Sequence, residues 1–199
     1  MLSIIIPAHN EEAYLDACLS SVIDQDFNAG QLEILVMANA CTDRTVEIAL
    51  GYKPAFAAKG WTLRVLRTRR GGKLPALNCA DKLAQGDRRV YLDADVVCEP
   101  TLMAELYAVL DTDKALYASG TLTMAPAKTW ITRKYANLWK QLPFMKGNAP
   151  GAGVFAVNAA GRKRWGEFPD IISDDTFVRL SFTPDERKQG AARYHWTLV

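Results

Sequence analysis

The 199 residues suffice for one full hydrophobic core or a cramped pair, and 49% hydrophobic with 23% charged residues is an ordinary globular balance. A net charge of +2, from 24 basic and 22 acidic groups, is too weak a field to favour nucleic acid. Cys18, Cys41, Cys79 and Cys98 form no CxxC pair, and no apolar run is long enough for a membrane span or a signal peptide. The expectation is therefore a cytoplasmic protein with reduced core or near-core thiols, which leaves peripheral membrane association open.

Ser3 to Ile6 reads as a buried strand stopped by Pro7, followed by helical spacing from Glu11 to Ile23 with Asn10 as its N-cap. Leu32 to Met37 is a second strand, and Thr42 or Asp43 caps a helix reaching about Leu50. Trp61 to Leu66 is a third strand. After the basic turn RTRRGGK a helix is expected from Leu74 to Ala84, with Pro75 tolerated in its first turn. Arg89 to Leu92 is a fourth strand. This alternation predicts an α/β fold with a Rossmann-like, mostly parallel sheet flanked by helices, and ligands at the carboxyl ends of the strands.

Beyond Pro100 the pattern changes. Thr101 to Leu110 is helical, Ala115 to Met124 extended, and Lys128 to Leu142 an amphipathic helix carrying Trp130, Tyr135 and Trp139. A GNAPGAG turn precedes the strand VFAV, and Asp174 to Leu180 is a short helix. No repeat or linker intervenes, so the chain reads as a single domain: 1–100 a nucleotide-binding-like half, 101–199 the half that shapes the second substrate's site. It ends at Val199 in an apparent strand. That leaves room for a further C-terminal segment supplying acceptor contacts, a dimer interface or membrane attachment.

The chemistry concentrates in VYLDADVV. Asp93 and Asp95, two residues apart beyond a strand end, can converge on a cation, and their hard oxygens suit Mg²⁺ or Mn²⁺ with a phosphate completing the shell. In isolation the pair is as well explained by a solvated loop. A second acidic cluster, Ser173-Asp174-Asp175, lies among apolar residues; there one aspartate can cap a helix while the other faces a cavity as a general base.

SIIIPAHNEEAYLDACLSSVIDQ, ILVMANACTDRT, GGKLPALNCA, VYLDADVV, GAGVFAVNAAGRKRWGEF and ISDDTFVR, in that order, resemble the family 2 glycosyltransferases of the GT-A fold. The resemblance implies metal-dependent transfer of a sugar from a nucleoside-diphosphate donor, UDP- or GDP-linked, to the hydroxyl of an unidentified acceptor. It makes Asp95 the metal ligand, with Mn²⁺ or Mg²⁺, and Asp93 a ribose or outer contact beside Ala94. It places Pro7, Ala8, Asn10 and Glu11 against the nucleotide base and ribose, and Lys73 and Asn78 near the donor. Asp175 becomes the catalytic base, acting with inversion. The family commonly carries an acidic pair where this chain has Ala38-Asn39; Asn39 can still bond a base edge, but the choice of base is weakened. His195 is a candidate third metal ligand, set against a packing role. The QxxRW signature of processive synthases is absent.

Two rival readings fit part of this pattern. A haloacid dehalogenase-type phosphohydrolase also has a nucleophile in D-x-D-x-[TV], here Asp93, but its nucleophile ends the first strand and here three strand–helix units come before. A non-catalytic nucleotide-sugar binding module would not need both acidic clusters. The apparent dinucleotide fingerprint at Gly151-Ala152-Gly153 follows no strand.

Overall fold

Successive side chains of a strand face opposite sides of its sheet, and in the central strands both sides are apolar. Leu2, Ile4 and Ile6 pack into one core with Ile34, Val36, Val90 and Leu92. Ile5, Leu35, Met37 and Tyr91 pack into the other. A strand buried on both faces belongs inside a helix-covered sheet.

The computed structural model describes residues 1–124 and 149–196. In chain order the elements are β1 (Leu2–Ala8), α1 (Leu15–Ile23), β2 (Leu32–Asn39), α2 (Thr45–Gly51), α3 (Lys53–Ala58), β3 (Thr62–Thr68), α4 (Lys73–Leu83) and β4 (Arg88–Leu92). There follow β5 (Val96–Cys98), α5 (Leu102–Val109), β6 (Tyr117–Met124), β7 (Val154–Asn158), α6 (Ala159–Arg162), α7 (Asp174–Leu180) and β8 (Arg187–Trp196). The sheet order is β3-β2-β1-β4-β7-β6-β8-β5. The first four strands are mutually parallel. Strand β7 runs antiparallel to β4 and β6, β8 runs parallel to β6, and β5 runs antiparallel to β8.

Several boundaries depart from the sequence expectation. Helix α1 starts at Leu15, four residues later than Glu11, and Asn10 is not its cap: Asn10 has φ 55°. Two of the intervening backbone N–H groups are claimed by the loop after β2 and the start of α2. Glu11 N–H donates to Thr45 Oγ1 at 2.7 Å and Glu12 N–H to Asp43 Oδ2 at 3.0 Å. The second unit carries two short helices, meeting at Tyr52, where one was expected. Val96–Cys98 is a strand because β8 returns beside it, a pairing no local pattern announces. Cys18 and Cys98 are buried as expected, whereas Cys79 is exposed. The helix expected over 128–142 lies outside the described residues. Among the described residues no helix is long and apolar enough to cross a membrane.

Candidate active site

From β1 the chain crosses to β2 on one side, and β4 later pairs on the other, so the sheet has its topological switch point at β1 and β4. Parallel sheets open a crevice there, at the carboxyl ends. A cleft of about 270 Å³ occupies this position. Pro7 enters it from the end of β1, His9 and Glu11 from the turn that follows, Asn39 from the end of β2, and Gly72 and Lys73 from the start of α4. Asp93, Ala94 and Asp95 enter from the turn after β4. The motif VYLDADVV is thereby explained: Val90, Tyr91 and Leu92 are buried, and the strand ends before the first acid.

Asn39 binds this cleft together. Its amide nitrogen donates to Ala8 O at 2.9 Å, and its amide oxygen accepts from Gly72 N–H at 3.0 Å. His9 Nδ1 lies 2.7 Å from Asn39 O. Glu11, Asp93 and Asp95 crowd one cavity. Burial, then the charges of Asp95 and Asp93, push the Glu11 carboxyl above its usual range.

A second cleft, of about 200 Å³, adjoins the first. Its floor is the stacked pair Tyr91 and Phe155, with ring centroids 4.7 Å apart. The glycine-rich turn Gly151–Gly153 forms one wall, and Ile172, Asp174 and Asp175 form another. Asp93 N–H donates to Gly153 O at 2.9 Å, which fastens that turn to the end of β4.

Lys73 and Asp93 line both clefts. The Lys73 ammonium lies 2.6 Å from Asp93 Oδ1 and 3.0 Å from Asp174 Oδ1. Burial opposes its charge, but the two carboxylates outweigh that effect and hold it firmly protonated. Burial likewise raises Asp93 and Asp174 above the usual carboxylate range, with Lys73 pulling the other way. Asp175 is arranged differently. Its Oδ1 accepts from Ser173 Oγ at 2.5 Å and from Thr176 N–H at 2.7 Å. So Asp174 is the buried member of the pair, and Asp175 the partly exposed one.

The structure therefore gathers Pro7, Glu11, Asn39, Lys73, Asp93, Ala94 and Asp95 around one cleft and sets Asp175 in its neighbour. Four candidates stand outside the walls of both clefts. Ala8 contributes its carbonyl to Asn39, and Asn10 Oδ1 accepts from Thr42 N–H at 2.8 Å. Asn78 clamps Phe168, accepting from its N–H at 2.7 Å and donating to its carbonyl at 3.1 Å. His195 sits opposite Val97 on β8, with Nδ1 2.7 Å from Thr123 Oγ1. Among the described residues no group of three or more His, Cys, Asp or Glu side chains is gathered to hold a metal ion. Sequence reasoning assigned no catalytic or binding role to His9, Gly72, Tyr91, Phe155 or Ile172, all of which line the clefts. Only His9, adjacent to a recognised loop motif, left a usable signal.

The sequence model of Glycosyl transferase family 2 matches residues 3–165. The chain belongs to this family. Over 109 residues it is 29% identical to the poly(ribitol-phosphate) beta-N-acetylglucosaminyltransferase TarS of Staphylococcus aureus, a match covering 55% of this chain and 18% of TarS. The crystal structure of S. aureus TarS 1-349 in complex with UDP-GlcNAc superposes with a TM-score of 0.76 at 19% identity, covering 100% of this chain and 58% of that one. The mannosyltransferase PcManGT of Pyrobaculum calidifontis, in complex with GDP-Man and Mn2+, gives a TM-score of 0.70 at 22% identity over 96% of this chain and 56% of that one. This family 2 chain thus has the GT-A fold that its motifs imply, and it spans little more than half of the solved chains it resembles. The phosphohydrolase and binding-module readings gain no support.

Proposed function

We propose that this chain transfers a sugar from a nucleoside-diphosphate donor to an acceptor hydroxyl, with inversion at the anomeric carbon. The observation that carries the reading is the meeting of two clefts at Lys73 and Asp93, with Asp95 on one side and Asp175 on the other. A displacement at one carbon needs such an arrangement, with the leaving group departing into one cavity and the nucleophile arriving from the other. UDP- and GDP-linked sugars are the donor classes to test, because the similar solved proteins are complexes with UDP-GlcNAc and GDP-Man.

In the acceptor cleft Asp175 takes the proton of the attacking hydroxyl. Its Oδ1 is engaged by Ser173 and Thr176, and Oδ2 is the oxygen that would take the acceptor's proton. As the acceptor oxygen bonds to the anomeric carbon, the bond to the diphosphate breaks and the pair leaves with the nucleotide. No covalent enzyme intermediate is needed. The carboxylates of Glu11, Asp93 and Asp95 line the donor cleft and are the hard oxygen donors a divalent cation takes; they are not gathered as a three-ligand site, so the donor's own phosphate oxygens would complete the shell. Asp95, with Asp93 beside it, would hold Mn²⁺ or Mg²⁺, and the ion when bound would supply Lewis acidity toward the leaving diphosphate.

The test is calorimetric titration of UDP or GDP with and without Mn²⁺, followed by turnover of the bound donor sugar. Asp95→Ala is expected to abolish the metal-dependent part of nucleotide binding. Asp175→Asn is expected to keep donor binding and lose transfer by about a thousandfold, within the usual range for a general base. Metal-dependent binding that survives Asp95→Ala, or unchanged turnover in Asp175→Asn, would reassign those carboxylates.

A further inference from the structure

Lys73 opens α4 where a helix least tolerates a cation. The amino end of a helix carries partial positive charge. Here the cap residue is Gly72 at φ 111°, no side chain caps the helix, and its first turn contains no acid. A lysine so placed ordinarily extends its ammonium into solvent. This one turns inward, to two carboxylates contributed by distant parts of the chain. A local choice that breaks the electrostatic rule and is repaid by tertiary partners marks a functional position.

The second partner is the informative one. Helix α7 has seven residues, and its buried residues are Asp174 and Val178. Its cap residue, Ser173, makes no side-chain cap bond; its hydroxyl donates to Asp175 Oδ1 and lies 2.9 Å from Thr176 Oγ1. Ile172, just before it, is fully exposed. The start of α7 therefore depends heavily on the bond between Asp174 and Lys73.

Building on the sugar-transfer reading, we infer that Lys73 is a positioning residue: by bridging Asp93 to Asp174 it fixes the first turn of α7 against the end of β4 and thereby aims Asp175 into the acceptor cleft. The bridge joins the acid pair of the acceptor cleft to the strand end that forms the donor cleft. Loss of either partner frees the start of α7 while leaving Asp175 itself chemically intact.

The test compares Lys73→Met, Asp174→Asn and the double variant, which preserves charge balance and folds even if Lys73→Met alone does not. Each single change is expected to lower kcat about a hundredfold, the scale of an ångström-sized displacement of a catalytic group. The double variant should be no slower than the slower single, because all three break the same link. Donor Kd by calorimetry should move much less than kcat, and Lys73→Arg should recover part of the rate. Multiplicative losses in the double variant would overturn the inference. So would a Lys73→Met enzyme with weakened donor binding and intact kcat, which would make the ammonium a donor contact only. Amide hydrogen exchange over residues 174–178 decides the point without turnover: it should rise about tenfold in Lys73→Met, as for a locally opened element. Unchanged exchange there refutes the positioning role. A wild type that turns over no nucleotide-sugar refutes sugar transfer instead.

Discussion

Asn39 shows how much one carboxamide can hold. At 1% exposure it joins the end of β1, through Ala8 O, to the start of α4, through Gly72 N–H. Its own strand supplies the position between them. Asn39→Ala leaves both backbone groups without this partner, and an unsatisfied buried polar group costs about 1–3 kcal/mol. Urea denaturation should show a loss of that size, and calorimetry should show weaker nucleotide binding because three walls of the cleft lose register. Asn39→Asp tests the same tie with the opposite sign at one end: a carboxylate can still accept from Gly72 N–H but cannot donate to Ala8 O. From sequence, Asn39 was a base-edge candidate. That reading requires only that it end a strand, whereas its role as a tie requires knowing that β1 and α4 lie on either side.

At the scale of elements, the turn Gly151–Gly153 walls the second cleft and is fastened to the end of β4. Gly151 has φ 77°, a conformation costing L-residues about 1–2 kcal/mol. A methyl group there would also stand 1.7 Å from the Tyr117 hydroxyl, which is buried and has no hydrogen-bond partner among the described residues. Gly151→Ala should therefore lower stability by about 2–4 kcal/mol, adding strain to overpacking. Tyr117→Phe in the same chain should recover the overpacking part, since removing an unpaired buried hydroxyl leaves no partner unsatisfied. Thermal denaturation of the two single variants and the double resolves these contributions. A double variant as unstable as Gly151→Ala alone would locate the whole effect in backbone strain. The sequence marked this segment as a turn from its glycines and proline. It did not indicate that an aromatic hydroxyl lies beneath it.

Across the whole molecule, Asp81 ties α4 to β4 and α6. Its carboxylate accepts from Arg89 Nη1 at 2.6 Å, Tyr91 Oη at 2.5 Å and Arg162 Nε at 2.7 Å. Burial opposes its ionisation, but hydrogen bonds from Arg162 and Tyr91 and the charge of Arg89 prevail and hold its carboxyl below the ordinary 3.8. A carboxylate with a depressed folded pKa adds stability that is complete above its unfolded pKa, about 3.9, and is lost as pH falls through the lower folded value. Asp81→Asn should cost about 1.5–3 kcal/mol near neutrality, the range for hydrogen bonds to charged groups, because Arg89 and Arg162 are only partly buried. The gap between wild type and variant in urea denaturation should narrow below about pH 4. A gap independent of pH would show that packing, and not charge, is what Asp81 supplies. Because Tyr91 also floors the acceptor cleft, the same network links stability to the site.

The parallel half of the fold and the acids at its strand ends were legible in the linear chain because they follow from local rules. Apolar runs bounded by turn residues mark strands, helical spacing marks the covering layer, and ligands gather where parallel strands end. Hence VYLDADVV could be placed at a carboxyl edge, and SDD at the start of a short helix, from residues alone. The linear chain could not say which aspartate of SDD turns inward, that Lys73 reaches it, that Asn78 serves Phe168 and not the donor cleft, or that β8 recruits Val96–Cys98 into the sheet. Each of these depends on groups far apart in sequence arriving within about 3 Å of one another, the range of a hydrogen bond. Periodicity and propensity carry no information about such encounters. They are settled when the two cores close on the sheet and the loops at its edge are forced to share one space.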